Sequence, residues 1–331
     1  MKSLLIPSRG QAGFGLVELM IAMTLGLVLL GGIGYVFIGS RGAFRTTDNL
    51  SRIQENARYA LDVMSRDIRM AGYVGCGNIA SMTVKTIANL PVSQHMTPDT
   101  ALIGYDDSGP SGIPRAAGDV LSIMGAFSNG VNLTGNLIPN ANIQVNGNPD
   151  GFKQGDVLVV ANCTNADVFK VTNNPGSSGT VTLNHVIGTS NTANRVGTYG
   201  SDAFVMRVDR YTYFIGDTPI SAARPVSVRA LYRVGLDGAA EELVEHVHDM
   251  QFRYGLDTNS DGAVDSYSAT PGAWTQVVSV TVNLLMRSPD NNISTATQSV
   301  TFNNGTFAAP DRRLYQVFSS TVGVRNRLPV L

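Results

Sequence analysis

Oxygen-bearing side chains fall at alternate positions in the segment DTNSDGAVD: Asp257, Asn259, Asp261 and, after Gly262, Asp265. With the carbonyl of Ala263 they form a set that suits Ca2+, a hard cation that takes about 6 to 8 oxygens and needs a glycine at the sharp turn. The twelfth position counted from Asp257 is Ser268, so the bidentate Glu of an EF-hand is missing. A hairpin turn rich in Asx and Gly explains the same residues. His246 and His248, beside Glu245 and Asp249, alternate as neighbours on one side of a strand do. They supply half a metal site at most, because His95 and His185 stand at no ligand spacing; a surface strand accounts for the pair. Two cysteines, Cys76 and Cys163, form an even pair. If that part of the chain lies outside the cytoplasm, they read as one disulfide, which in the chain-entropy model contributes roughly 4 kcal/mol. The last group is Glu18, the one carboxylate within QAGFGLVELMIAMTLGLVLL, residues 11–30.

Catalytic devices are lacking. The chain contains no GxSxG, GxxxxGK[ST] or HExxH, and no Cys/His arrangement with a catalytic context, so a non-enzymatic protein is expected. With 24 basic and 25 acidic side chains the net charge is −1. No global field draws this chain to nucleic acid, and none is expected as a partner. A charged fraction of only 15%, with abundant Gly, Asn, Ser and Thr, indicates a loop-rich, β-rich body.

The elements that position these residues begin with an apolar run. From Phe14 to Ile38 Glu18 is the single charge, and the run is long enough to cross a hydrocarbon core of ~30 Å as a helix. A secretory signal peptide has a shorter apolar core with its cut site after it; here the small residue, Gly13, comes before the run. Lys2 and Arg9 ahead of the span favour a cytoplasmic N-terminus, an asymmetry that Arg41 and Arg45 weaken. Glycines at 15, 26, 31, 32, 34 and 39 suit a membrane helix that packs closely on others.

Beyond the span the pattern turns amphipathic. Leu50, Ile53, Ala57, Leu61, Met64, Ile68 and Ala71 recur at steps of three and four, one helical face, and Gly72 supplies a stop. The two halves make one helix of about 55 residues, roughly 80 Å long, whose second half should lie on a sheet. Residues 76–200 read as short strands between Gly, Asn and Pro clusters, including the similar runs GDVLSIMGA (118–126) and GDVLVVANC (155–163). Residues 203–216, 226–235, 249–257, 274–288, 298–304 and 315–327 read as strands of an antiparallel sheet, with EELVEHVHD as helix or strand.

GFGLVELMIAMTLGLVLL resembles the class III signal of type IV prepilins: Gly13 before the cut, Phe14 as the new first residue, and Glu18 fifth from it. NARYALDVMSRDIRMAGYVGC (56–76), ELVEHVHDMQFRYGLDTNSDGAVD (242–265) and RRLYQVFSSTVGVRNR (312–327) are similar to PilW-type minor pilins. The resemblance implies an α+β, pilin-like fold: a long N-terminal helix, half transmembrane and half amphipathic, packed on an antiparallel sheet, here with a large loop-rich β insertion. It divides the chain into a leader (1–13), a transmembrane half-helix (14–38), an amphipathic half-helix (39–75) and a periplasmic or extracellular β-rich domain (76–331).

By that resemblance a prepilin peptidase cleaves between Gly13 and Phe14, and the new amine of Phe14 is methylated. The subunit waits in the inner membrane with its N-terminus cytoplasmic, then primes type IV pilus assembly and sits near the tip. Its implied partners are other minor pilins, the major pilin, a tip adhesin and the inner-membrane assembly platform. The alternatives are a J-type pseudopilin of type II secretion, a DNA-uptake pilus component, and a membrane-anchored calcium-dependent binding protein.

Overall fold

A computed structural model describes residues 15–327. The chain divides into two compact units, Met1–Ser51 and Arg52–Leu331, and one continuous helix, α1 (Leu16–Arg69), contributes to both. Apart from Glu18, α1 is apolar on every side up to Ile38, and Leu16, Leu25, Val28, Leu30 and Ile38 are all exposed. It is the one helix among the described residues long and apolar enough to cross a membrane. The Thr24 hydroxyl is satisfied within the helix, as a hydrocarbon medium requires: it donates to the Met20 and Ile21 carbonyls at 2.9 Å.

In the second unit the strands follow in chain order. They are β1 (Thr83–Thr86), β2 (Leu102–Tyr105), β3 (Ala117–Ala126), β4 (Val131–Asn132), β5 (Ile143–Asn146), β6 (Val157–Ala161), β7 (Asn165–Lys170) and β8 (Thr180–Leu183). The next are β9 (Phe204–Asp217), β10 (Arg229–Val234), β11 (Ala240–Glu245), β12 (Val247–Leu256), β13 (Ser266–Ser268) and β14 (Val277–Arg287). Last come β15 (Ser299–Phe302), β16 (Gly305–Ala308) and β17 (Tyr315–Gly323).

The sheet expected from the sequence is in fact two main sheets. A nine-stranded sheet runs β1-β7-β6-β9-β10-β11, with β2 on β3, and β3 and β4 on β9. A four-stranded antiparallel sheet runs β13-β12-β14-β17. Two hairpin-sized ladders, β5 with β8 and β15 with β16, complete the pairing among the described strands. The larger sheet is antiparallel except where β1 runs parallel to β7. Strand β9, at 14 residues, is long enough to carry β4 and β6 along one half and β3 and β10 along the other.

The helix stripe packs against both sheets at once. Ile53, Ala57, Ala60, Met64, Ile68 and Ala71 join one core with Leu121, Tyr213, Ile215 and Leu231 of the large sheet and Met250, Phe252, Val282 and Leu284 of the small one. The stripe differs from the expected one at Leu61, which is only partly buried while Ala60 is fully so. Ala60 continues the phase of Ala57 and Met64, and its small side chain lets the helix approach the sheets; Leu50 stays exposed. Gly72 ends the helical segment in a left-handed conformation, φ +71°, which glycine adopts without steric cost. At Gly104 a Cβ would lie 1.8 Å from the Tyr254 hydroxyl, so only glycine allows β2 to pass β12 there.

Residues 87–205 build a second core, with Phe152, Leu158, Phe169, Leu183 and Tyr199 at its centre. The Tyr199 hydroxyl donates to Asp167 at 2.5 Å, which also accepts the Gly197 N–H at 2.7 Å. Burial is the main reason the Tyr199 phenol is held far above its ordinary pKa, and the bond to Asp167 adds to it. A third cluster around Val74, Met124, Val159 and Met206 joins this region to the helix end.

Candidate functional site

Three groups of predicted residues are placed by the fold. Glu18 lies in the first turn of α1 and is exposed. The predicted processing residues Gly13 and Phe14 lie outside the described residues. The Leu19 N–H donates to the Gly15 carbonyl at 3.1 Å, so helical hydrogen bonding already includes the residue after Phe14.

Cys76 and Cys163 are joined. Their Cα atoms are 4.9 Å apart across a sequence separation of 87 residues. The bond ties the segment just after α1 to the turn between β6 and β7, which links the helix to the β insertion covalently.

The acidic loop follows β12. Asp257 Oδ1 accepts the N–H groups of Ser260 at 2.6 Å and Asp261 at 3.2 Å, and its Oδ2 accepts Gly262 N–H at 2.8 Å. Asp261 Oδ1 accepts Ala263 N–H at 2.7 Å, and Asn259 Nδ2 donates to Asp261 Oδ2 at 3.1 Å. Asp265 accepts both the N–H and the hydroxyl of Thr258 at 2.7 Å, and these bonds lower its pKa. The five expected calcium ligands therefore share one loop, in which the three carboxylates accept the loop's own donors. Among the described residues no three His, Cys, Asp or Glu side chains gather as a metal site.

His246 and His248 do not form an alternating pair on an exposed strand. His246 breaks the chain between β11 and β12 with φ +66°. His248 sits on β12 with its ring 4.9 Å from Phe307 and 5.3 Å from Tyr315. Both are half-buried, and burial first, with nearby arginines second, pushes each down to about 4.

A site that the sequence reading missed holds helix to sheet. Asp67, on the buried face of α1, accepts a hydrogen bond from the Tyr213 hydroxyl of β9 and lies 3.2 Å from Arg233 Nη1 of β10. The second guanidinium nitrogen of Arg233 reaches Glu241 of β11 at 2.7 Å. The same guanidinium lies 4.4 Å over the Tyr211 ring, itself 4.6 Å from Phe127. Burial raises the Asp67 pKa, and the bonds from Tyr213 and Arg233 oppose that rise. The available signal was an acid inside the apolar phase between Met64 and Ile68. By contrast, the Asp62–Arg66 pair, one helical turn apart at 2.6 Å, is exposed and of a kind worth only a few tenths of a kcal/mol.

The model of the family Type IV Pilus-assembly protein W matches residues 212–326, from the end of β9 through β17. That of the prokaryotic N-terminal methylation motif matches residues 8–34, the start of α1 with Glu18 inside it. These two matches support a PilW-type minor pilin. Searches of the curated proteins and of the solved structures return no match. The α+β fold, with one long apolar N-terminal helix and a large antiparallel-rich β domain, is the pilin-like arrangement expected. PilW proteins are structural components of the pilus rather than enzymes, and the methylation motif with the apolar helix fits a membrane-anchored pilin. The matched segment contains Tyr213, Arg233 and Glu241, so the sheet side of the Asp67 contact lies in the part of the chain that matches the family. The cysteines, the second core and residues 56–76 lie outside both matches.

Proposed function

We propose that a prepilin peptidase cleaves this chain between Gly13 and Phe14, that the new amine is methylated, and that the mature subunit primes type IV pilus assembly and enters the filament near its tip. Before assembly it spans the inner membrane once, with its N-terminus cytoplasmic. Its partners are other minor pilins, the major pilin, a tip adhesin and the assembly platform. The observation that carries this reading is Glu18. It is the one carboxylate of a helical run otherwise apolar on all sides, and it falls within the methylation motif.

An acid at a membrane-helix centre costs roughly 2.5 to 3.5 kcal/mol on an insertion scale, an upper bound for Glu18 in the first turn. Cleavage after Gly13 creates an ammonium group on Phe14, about 6 Å from Glu18 along the helix axis. That charge offsets the carboxylate's, within one subunit or from the N-terminus of a neighbour in the growing filament. Glu18 thus reports subunit register. Within the second unit the amphipathic half of α1 is held to the sheets by its buried stripe and the Asp67 contact.

The deciding experiment is purification of sheared filaments from a strain expressing the tagged chain, followed by mass spectrometry. The reading expects a substoichiometric subunit whose N-terminus is Phe14. An intact leader on assembled subunits refutes the cleavage. Absence from filaments, together with presence in a short periplasmic assembly, assigns the chain to secretion instead. Gly13→Leu should accumulate as uncleaved precursor, whereas Glu18→Ala should be cleaved but incorporated poorly.

A further inference from the structure

A polar cleft of about 710 Å³ opens within the Arg52–Leu331 unit, beside β6, β7 and β9. This volume lies in the range of small-molecule sites, ~300 to 1,000 Å³. Its wall is braced by Arg207 of β9, which donates to the carbonyls of Asp150 at 2.9 Å and Gly151 at 3.1 Å and pairs with Asp156 at 3.1 Å. The guanidinium also lies 5.8 Å from the Phe152 ring centroid. The lining is therefore built on sheet strands and a pinned turn, which hold a binding geometry better than free loops do.

The charges of the cleft are unequally occupied. Asp156 Oδ2 accepts the Lys153 N–H at 2.9 Å besides its pairing with Arg207. Asp209 Oδ1 accepts the N–H groups of Arg210 at 2.7 Å and Leu236 at 2.8 Å, and burial raises its pKa. Asp237 Oδ1 accepts the Ala239 N–H at 3.0 Å. On the positive side, Lys153 and Lys170 line the cleft, and neither ammonium group makes a hydrogen bond or ion pair among the described residues. The Nε of Arg207 is buried with no acceptor, and a buried unpaired donor costs about 1 to 3 kcal/mol until something accepts from it.

A ligand that uses these groups carries an anionic group for the lysines. It also carries hydroxyls for Asp209 and Asp237, whose Oδ2 atoms accept no hydrogen bond among the described residues. The apolar floor of Leu90, Val157 and Leu236 suits the C–H faces of a ring. Apart from Leu236 and Asp237, these residues precede residue 212, so most of the cleft is built by chain outside the family match.

We infer that this cleft binds an acidic saccharide, with a carboxylate or sulfate held by Lys153 and Lys170 and sugar hydroxyls read by Asp209 and Asp237. The inference goes beyond the role in filament assembly and does not depend on it.

The test is isothermal titration of the full-length chain in detergent micelles with sialyllactose, a sulfated galactosamine disaccharide, neutral lactose and inorganic sulfate. One of the acidic sugars should bind at least tenfold more tightly than lactose. Lys153→Gln/Lys170→Gln should weaken it at least tenfold with an unchanged circular dichroism spectrum, since neither ammonium holds the fold. Asp237→Asn should weaken the sugar while leaving inorganic sulfate unaffected. Three results each overturn the inference: no preference for an acidic sugar over lactose, full affinity in the double lysine variant, or inorganic sulfate binding as tightly as the sugar.

Discussion

Tyr213→Phe removes one oxygen from the contact that holds helix to sheet and leaves the ring's shape in place. In the parent chain the phenol donates to Asp67, whose side chain is 13% exposed and whose other charged partner is Arg233 at 3.2 Å. A hydrogen bond to an ionised group is worth about 1.5 to 3 kcal/mol. Phe creates no cavity and the carboxylate keeps Arg233, so the expected loss is about 2 kcal/mol. For large domains that corresponds to roughly 2 to 4 °C of melting temperature per kcal/mol. The assay is urea denaturation of the full-length chain in detergent, followed by fluorescence of the single tryptophan, Trp274. Its ring lies 4.9 Å from Tyr254, in the core that the helix covers. A double-mutant cycle with Asp67→Asn should give a coupling of at least about 1 kcal/mol, since the two groups touch. A Tyr213→Phe chain within about 0.5 kcal/mol of the parent, the range of an ordinary surface substitution, refutes the reasoning. So does an Asp67→Asn cost that is unchanged when Tyr213 is already Phe.

Three further outcomes are expected. Arg233→Met leaves Asp67 buried without its cation and should cost more than Tyr213→Phe, about 3 kcal/mol, measured by the same unfolding curve. Cys76→Ser/Cys163→Ser opens a closed loop of 87 residues and should lower stability by up to about 4 kcal/mol, read as a fall in melting temperature; an unchanged midpoint removes the bond from the account. His246 is held neutral, its pKa lowered to about 4 by burial and then by Arg287, Arg313, Arg224 and Arg52. The stability this implies is present above the unfolded value near 6.5 and is lost as pH falls toward 4. His246→Asn, which tolerates the left-handed backbone, should flatten that fall by up to about 1.4 kcal/mol per pH unit. Parallel pH profiles for parent and variant contradict it.

The anchor, the length of α1 and its Gly72 stop were legible because each depends on local chemistry: continuous apolarity, a 3.6-residue period and a glycine that accepts positive φ. The cysteine pair was legible because two cysteines on a segment expected to lie outside the cytoplasm have one partner each. Strand positions in residues 203–327 followed from alternation, with β14 beginning at Val277 rather than Trp274, where a short 3-10 turn intervenes. What alternation does not carry is partnership. It gives the same pattern whether β9 and β12 share a sheet or lie in two, and here β9 joins the nine-stranded sheet and β12 the four-stranded one.

Sequence by itself determined the membrane-length helix, the lone acid in its first turn and the β-rich body, because these are properties of neighbouring residues along one chain. Tertiary structure alone decided that Asp67 meets Tyr213 and Arg233, which lie 146 and 166 positions away. It likewise brought Lys153, Lys170 and Arg207 to one cleft. Each of those outcomes depends on which groups remain unpaired once the sheets have formed, and long-range pairing is the quantity a local pattern does not encode.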